Sequence, residues 1–250
     1  MRIYGLDISL DHGGLVVLNG DGEVLDYAYI TNVKKGSEID PKHSILLSKR
    51  GKDESKETFR LRRMDEYLKS ISDFLKFRDL PPESVVGQQY YSIEGYSYAS
   101  QSTSICQIAE LTGYLKHILF ENYGKIRVHD PLSVKLFATN KGNASKRDVI
   151  EQALLAFDIP EGLIKKKTVK KKGKTTLPPA QWWEDYDGAA TDIADAYFLA
   201  RMLCLELAVR SGEVLLSNLK ENERRIFLRV TKAFPVNLLD RDFNYKLAGE

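Results

Sequence analysis

The chain has 250 residues, with 37 Lys and Arg against 35 Asp and Glu for a formal net charge of +2, 43% apolar residues and 29% charged ones. That is enough chain for a sizeable core, and the balance of apolar to charged residues excludes wholesale disorder. No apolar run reaches the length of a membrane span, the first residues "MRIYGLDIS" carry no signal-peptide pattern, and two cysteines in helical apolar patterns, Cys106 and Cys204, argue for a reducing compartment rather than a disulfide framework.

In chain order, "RIYGLDIS", "GLVVLNG" and "GEVLDYAYI" read as three antiparallel strands, the second joined to the third through "NGDG". Residues 31–56 are polar and read as a loop or insertion. From Glu57 to Phe77, apolar residues recur at helical spacing. After Pro81–Pro82, "SVVGQQYYSIE" reads as a buried strand ending at Glu94, and Ser102–Tyr123 as a long amphipathic helix. A short strand, "KIRVHD", leads to a helix opened by Pro131, a second helix over Ala144–Phe157, and a last long helix over Asp187–Gly212. Three hairpin-joined strands followed by alternating strand and helix predict an α/β fold: an RNase H-like mixed β-sheet flanked by α-helices. The domain so predicted spans 1–212, with charged insertions near 31–56 and 160–186. Residues 213–250 form a C-terminal extension packed on the core.

Charge is unevenly placed. Leu163–Thr176, "LIKKKTVKKKGKTT", holds seven lysines and no acid, which leaves the rest of the chain at −5. Such a run reads either as a solvated, disordered loop or as a flexible arm on nucleic-acid phosphates, through Lys165, Lys166, Lys167, Lys170, Lys171 and Lys172.

Four acids stand out by position. Asp7 lies within an apolar strand, Glu94 ends another, and Asp192 and Asp195 share one face of the apolar helix "TDIADAYFLA". Each has a structural reading alone: a strand Asp can cap a turn, and Asp192 suits a helix N-terminus. Together on this β/α order they crowd negative charge into a small volume, which a cation would neutralise. Oxygen-only ligands suit Mg²⁺ or Mn²⁺, two per active site, and no His/Cys cluster argues for zinc.

The segments "YGLDIS", "SIEGY", "AELTGYLKHIL", "SVKLFATNKGNASKRDVI" and "TDIADAYFLA" resemble the RuvC Holliday junction resolvases, particularly the larger phage-type members, from about Arg2 to Arg210. The resemblance implies that Asp7, Glu94, Asp192 and Asp195 bind the metal and that Lys135 and Lys146 neutralise phosphate. It implies a crossover junction endodeoxyribonuclease that cuts four-way DNA by paired nicks and leaves a 5′ phosphate, acting as a homodimer in a bacterial cytoplasm. Guided by the family, the Ser102–Tyr123 helix, with Ile105, Ile108, Leu115 and Leu119 on its apolar side, is the candidate dimer interface; a helix buried within one subunit would show the same pattern. The family's aromatic three residues after the Glu is replaced by Ser97, with Tyr96 and Tyr98 flanking it as candidate base-stacking residues. The alternatives are a broader branched-DNA or flap endonuclease and a non-catalytic junction-binding protein. An actin-like ATPase is disfavoured because no second Gly-rich phosphate loop is present, so no nucleotide cofactor is expected.

Overall fold

The computed structural model describes residues 1–32, 44–75, 89–95, 104–122, 124–157, 159, 165–170, 182–187 and 189–231. Strands β1 (Arg2–Ile8), β2 (His12–Leu18), β3 (Val24–Asn32) and β4 (Ser44–Leu47) precede helix α1 (Lys56–Leu75). Next come β5 (Gln89–Glu94), α2 (Ser104–Glu121), β6 (Lys125–His129), α3 (Pro131–Thr139) and α4 (Lys146–Ala156). The chain continues through β7 (Lys165–Lys170), β8 (Trp182–Asp187), α5 (Ala189–Ser211), a 3₁₀ turn (Leu216–Asn218) and α6 (Glu221–Thr231).

Six strands form one sheet in the order β4-β3-β2-β1-β5-β6. The β1–β2 and β2–β3 pairs are antiparallel, whereas β1–β5, β5–β6 and β3–β4 are parallel. Antiparallel hairpins through β1, β2 and β3 with parallel pairs on either side make this the mixed α/β sheet, flanked by helices, that the element order predicts.

The period of two along each strand divides the core into layers. Ile3, Val16, Leu18 and Tyr90 face α3, α4 and α5, while Tyr4, Leu6, Leu15, Tyr91 and Ile93 face α1 and α2. Helix α5 lies along the centre of the first layer, with Ile193, Ala194, Ala196, Leu199 and Ala200 fully buried. It comes close because Gly5 and Gly14 carry no side chain. A Cβ on Gly5 would lie 1.8 Å from the carbonyl oxygen of Ala196, and one on Gly14 would lie 1.9 Å from that of Asp192. Towards its C-terminus α5 is tied to β6 by buried charges. Glu206 accepts from Arg127 Nε at 2.9 Å and from Arg210 Nε at 2.8 Å.

Local chemistry sets several boundaries. Asn19 Oδ1 accepts from the N–H groups of Asp21 and Glu23, which folds the β2–β3 turn with Gly22 at φ +85°. Asp130 caps α3 ahead of Pro131, and Ser145 forms a capping box with Asp148 at the start of α4.

Three expectations are corrected. Residues 31–56 are not all loop: β4 extends the sheet edge beside β3, with Leu47 buried. Part of the lysine run is a strand rather than a loop. Lys165, Lys166, Lys167 and Lys170 lie in β7, paired antiparallel with β8, and the register sets Asp187 opposite Lys165 and Asp185 opposite Lys167. Finally, Leu115 and Leu119 are fully buried inside the protomer, in the layer between the sheet and α1 and α2, so they supply no interface. Lys171 and Lys172 lie outside the described residues. Beyond residue 212, α6 places Ile226 in the main core and Phe227 against Leu219 and Val209.

Candidate active site

Asp7 and Glu94 stand side by side. Strands β1 and β5 run parallel with Leu6 opposite Ile93, so the next residue on each strand is the acid, and the alternation turns both towards the α5 layer. On the other flank of β1, Asp7 pairs with Gly14, the glycine whose bare Cα lets the backbone of Asp192 settle against β2. Asp195 follows one turn further along the same helix face. The sheet register and two glycines thus bring together acids from residues 7, 94, 192 and 195.

The electrostatics record the crowding. Burial, then the charges of Asp195, Asp192 and Glu94, push the Asp7 carboxyl well above the usual carboxylate range, and Lys146 opposes them. Burial and Asp195 raise Glu94 to about 7, against the pull of Lys135. Burial and Asp192 raise Asp195 to about 6, against both lysines. The two lysines come from α3 and from the first residue of α4, where Lys146 is exposed and Lys135 half-buried. The acids and lysines singled out in the sequence therefore converge on the end of β1. Tyr96 and Tyr98 lie outside the described residues.

His12, at the start of β2, is part of the site and was not anticipated. Its Nδ1 lies 3.0 Å from Asp192 Oδ2 and 3.1 Å from Ser9 Oγ. Because Ser9 Oγ–H already donates to the His12 carbonyl at 2.6 Å, the Nδ1 proton is the one shared with Asp192. That contact raises the His12 pKa, against partial burial. Tyr67 holds the turn from below, donating its hydroxyl to the His12 carbonyl at 3.0 Å, and Gly13 leaves room for it.

These shifts set the pH dependence of stability. Glu94 and Asp195 in the fold keep protons that the unfolded chain has lost by about pH 5, so the native state binds more protons through that window. Without divalent cations, stability is expected to be greatest near pH 5 and to fall as pH rises through 6 to 7. Thermal unfolding in chelator should show a melting temperature several degrees lower at about pH 8 than at about pH 5.

Among the described residues, no three His, Cys, Asp or Glu side chains converge closely enough to hold a metal ion as they stand. The donor chemistry nevertheless fits a hard divalent cation: the ligands are carboxylates, and their mutual repulsion holds protons that a cation would displace.

No family model matches the chain, and no curated protein sequence matches it. Among solved structures the chain is similar to Thermus thermophilus RuvC, at 16% identity and a TM-score of 0.45, over 85% of this chain and 97% of that one. It is also similar to T. thermophilus RuvC in complex with Holliday junction substrate, at 14% identity and a TM-score of 0.47, over 80% and 90% of the two chains.

Proposed function

We propose that the protein is a metal-dependent endodeoxyribonuclease that hydrolyses phosphodiesters at DNA branch points, four-way junctions above all, leaving 5′ phosphates. One observation carries this reading: Asp7 feels the charges of Glu94, Asp192 and Asp195 at once, with Lys146 beside them, at the end of an RNase H-like sheet. Four carboxylates that repel one another destabilise a fold even with Lys135, Lys146 and His12 beside them, and a site that retains them has a use for a bound cation.

Asp7, Glu94, Asp192 and Asp195 would hold Mg²⁺ or Mn²⁺, two ions in all. When bound, such ions polarise the phosphoryl oxygen and lower the pKa of a coordinated water. The chain's own residues prepare the site around them. Lys135 and Lys146 place positive charge where the scissile phosphate and its neighbour would lie, which offsets the repulsion between DNA and the carboxylates. The Nδ1–H of His12 fixes Oδ2 of Asp192, and the Thr191 hydroxyl donates to Oδ1 at 3.4 Å.

Resolving a four-way junction takes two nicks related by a two-fold axis, so a homodimer with one site per protomer suits the reaction. Among the described residues no helix is long and apolar enough to cross a membrane.

Incubation with four-way, flap and linear DNA in Mg²⁺ tests the proposal. Paired, symmetric nicks confined to the four-way substrate are expected. Equal cutting of flaps would widen the substrate class, and junction binding without any nick in Mg²⁺ or Mn²⁺ would refute the nuclease reading. His12→Ala is expected to lower the nicking rate about 10–100-fold and to weaken Mn²⁺ binding measured by calorimetry. His12→Asn, whose amide N–H can replace Nδ1–H, should recover most of both. Equal losses in the two variants would remove His12 from this role.

A further inference from the structure

The geometry points to a nucleobase-binding cavity on the sheet face opposite the carboxylates, where an unpaired base of the DNA substrate would insert. The inference rests on the reading of the protein as a DNA-cutting enzyme. A cavity of about 260 Å³ opens between α1, α2 and the β1–β2 turn. Tyr67 and Leu111, both almost fully buried, belong to its interior, and the half-buried Phe59, Arg60 and Gln107 lie towards its mouth. The volume lies just below that of drug-sized sites, which suits a single flat ring system rather than a whole nucleotide.

The charges argue against a phosphate as occupant. Arg60 is paired with Glu110 at 2.9 Å and Glu57 at 3.4 Å, and Arg63 with Asp11 at 3.3 Å. The two arginines that line the cavity are thus already balanced by carboxylates; an exposed lysine, Lys56, lines it as well, and an anion would meet those acids too. What the cavity offers instead is an apolar wall, an aromatic ring from Phe59, an amide from Gln107 and a spare donor. Arg60 Nε is buried with no hydrogen-bond partner among the described residues. A buried donor without an acceptor is costly, and the carbonyls and ring nitrogens of a nucleobase supply acceptors in the plane of a ring. Stacking on an aromatic side chain with edge contacts to an amide and a guanidinium is how unpaired bases are held.

Position supplies the link to DNA. Leu10 lines the cavity and is three residues from Asp7, no more than about 11 Å of extended chain. Along a duplex strand each base advances about 3.4 Å, so a base within roughly three nucleotides of the phosphate under attack reaches the cavity. The wall between the two is the turn that carries His12, braced by Tyr67. A strand crossing the end of β1 would place its phosphate on one side of this turn and an unstacked base on the other. Branch points supply such bases at the lowest cost, because pairing there is already interrupted.

The test uses the full chain in chelator, so that nothing is cut, with four-way junctions carrying 2-aminopurine singly at each position around the crossover. Saturating wild-type protein is expected to raise the fluorescence at one position at least two-fold, as the base leaves the stack. Gln107→Phe, which fills the mouth, should abolish that rise, and Phe59→Ala should weaken junction binding about five-fold or more. No rise at any position, or a rise that persists in both variants, overturns the cavity as a base site. Nicking in Mg²⁺ is scored separately on the wild type. Nicks without a fluorescence rise refute the cavity alone, whereas a rise lost in both variants but without nicks supports the cavity and refutes the nuclease reading alone.

Discussion

Asp7→Asn protein is expected to bind four-way DNA as well as the wild type and to leave it uncut, with a loss of about three orders of magnitude or more in nicking rate. The substitution keeps the shape of the side chain and removes its charge. No other acid of the site is flanked as Asp7 is, with Glu94 beside it on β5 and the Asp192 backbone against its partner Gly14. Removing a carboxylate that repels three others should also stabilise the metal-free protein near pH 8, where the wild type is weakest. A gel-based nicking assay, a mobility-shift assay and a melting curve in chelator read the three effects separately. Undiminished cleavage would remove Asp7 from the catalytic centre. A lower melting temperature in chelator would show that its charge is compensated in the fold.

Gly14→Ala is expected to cost several kcal/mol of stability, on the order of 3–5, because the new methyl group would meet backbone rather than a yielding side chain. The obstacle is the Asp192 carbonyl at 1.9 Å, with the nitrogen of Ile193 at 2.7 Å. Either β2 or the start of α5 must move, and both carry the site. For a chain of this size the melting temperature should fall by about 2–4 °C per kcal/mol. Gly142→Ala is the control: nothing lies within 4 Å of its added Cβ, and its melting temperature should be almost unchanged. Equal melting temperatures for the two variants would mean that α5 does not seat on β2 as described.

Most of the sheet was legible in the sequence because its strands alternate so regularly. The run from Arg2 to Ile30 carries its own turn chemistry at Asn19–Gly22, and α5 announces itself by an unbroken apolar face. The four acids were legible for a related reason: carboxylates within apolar runs violate the local pattern, and such violations mark functional sites. Three features escaped for physical reasons. Strand β4 is four residues long inside a polar segment, too short for a period to emerge, and its pairing comes from the edge of β3. In β7, six residues with four lysines oppose strand formation locally, and the pairing comes from β8, about a dozen residues further along the chain. His12 escaped because its partner, Asp192, is distant in sequence and reached through Gly14. The same holds for the burial of Leu115 and Leu119, since an apolar helix stripe does not say whether its cover comes from the same chain or another.

The seating of α5 on Gly5 and Gly14 also bears on how the chain reaches its native state. One layer of the sheet is covered chiefly by a helix that begins at residue 189, while the strands it covers begin at residue 2. During synthesis from the N-terminus, Ile3, Val16 and Leu18 therefore wait for most of the polypeptide before their cover emerges. Contacts of such long sequence separation are slow to form. The carboxylate cluster closes at the same moment, because Asp192 and Asp195 arrive on that helix. A nascent or truncated chain that ends before residue 189 holds Asp7 and Glu94 but lacks both remaining acids and the helix that would align them.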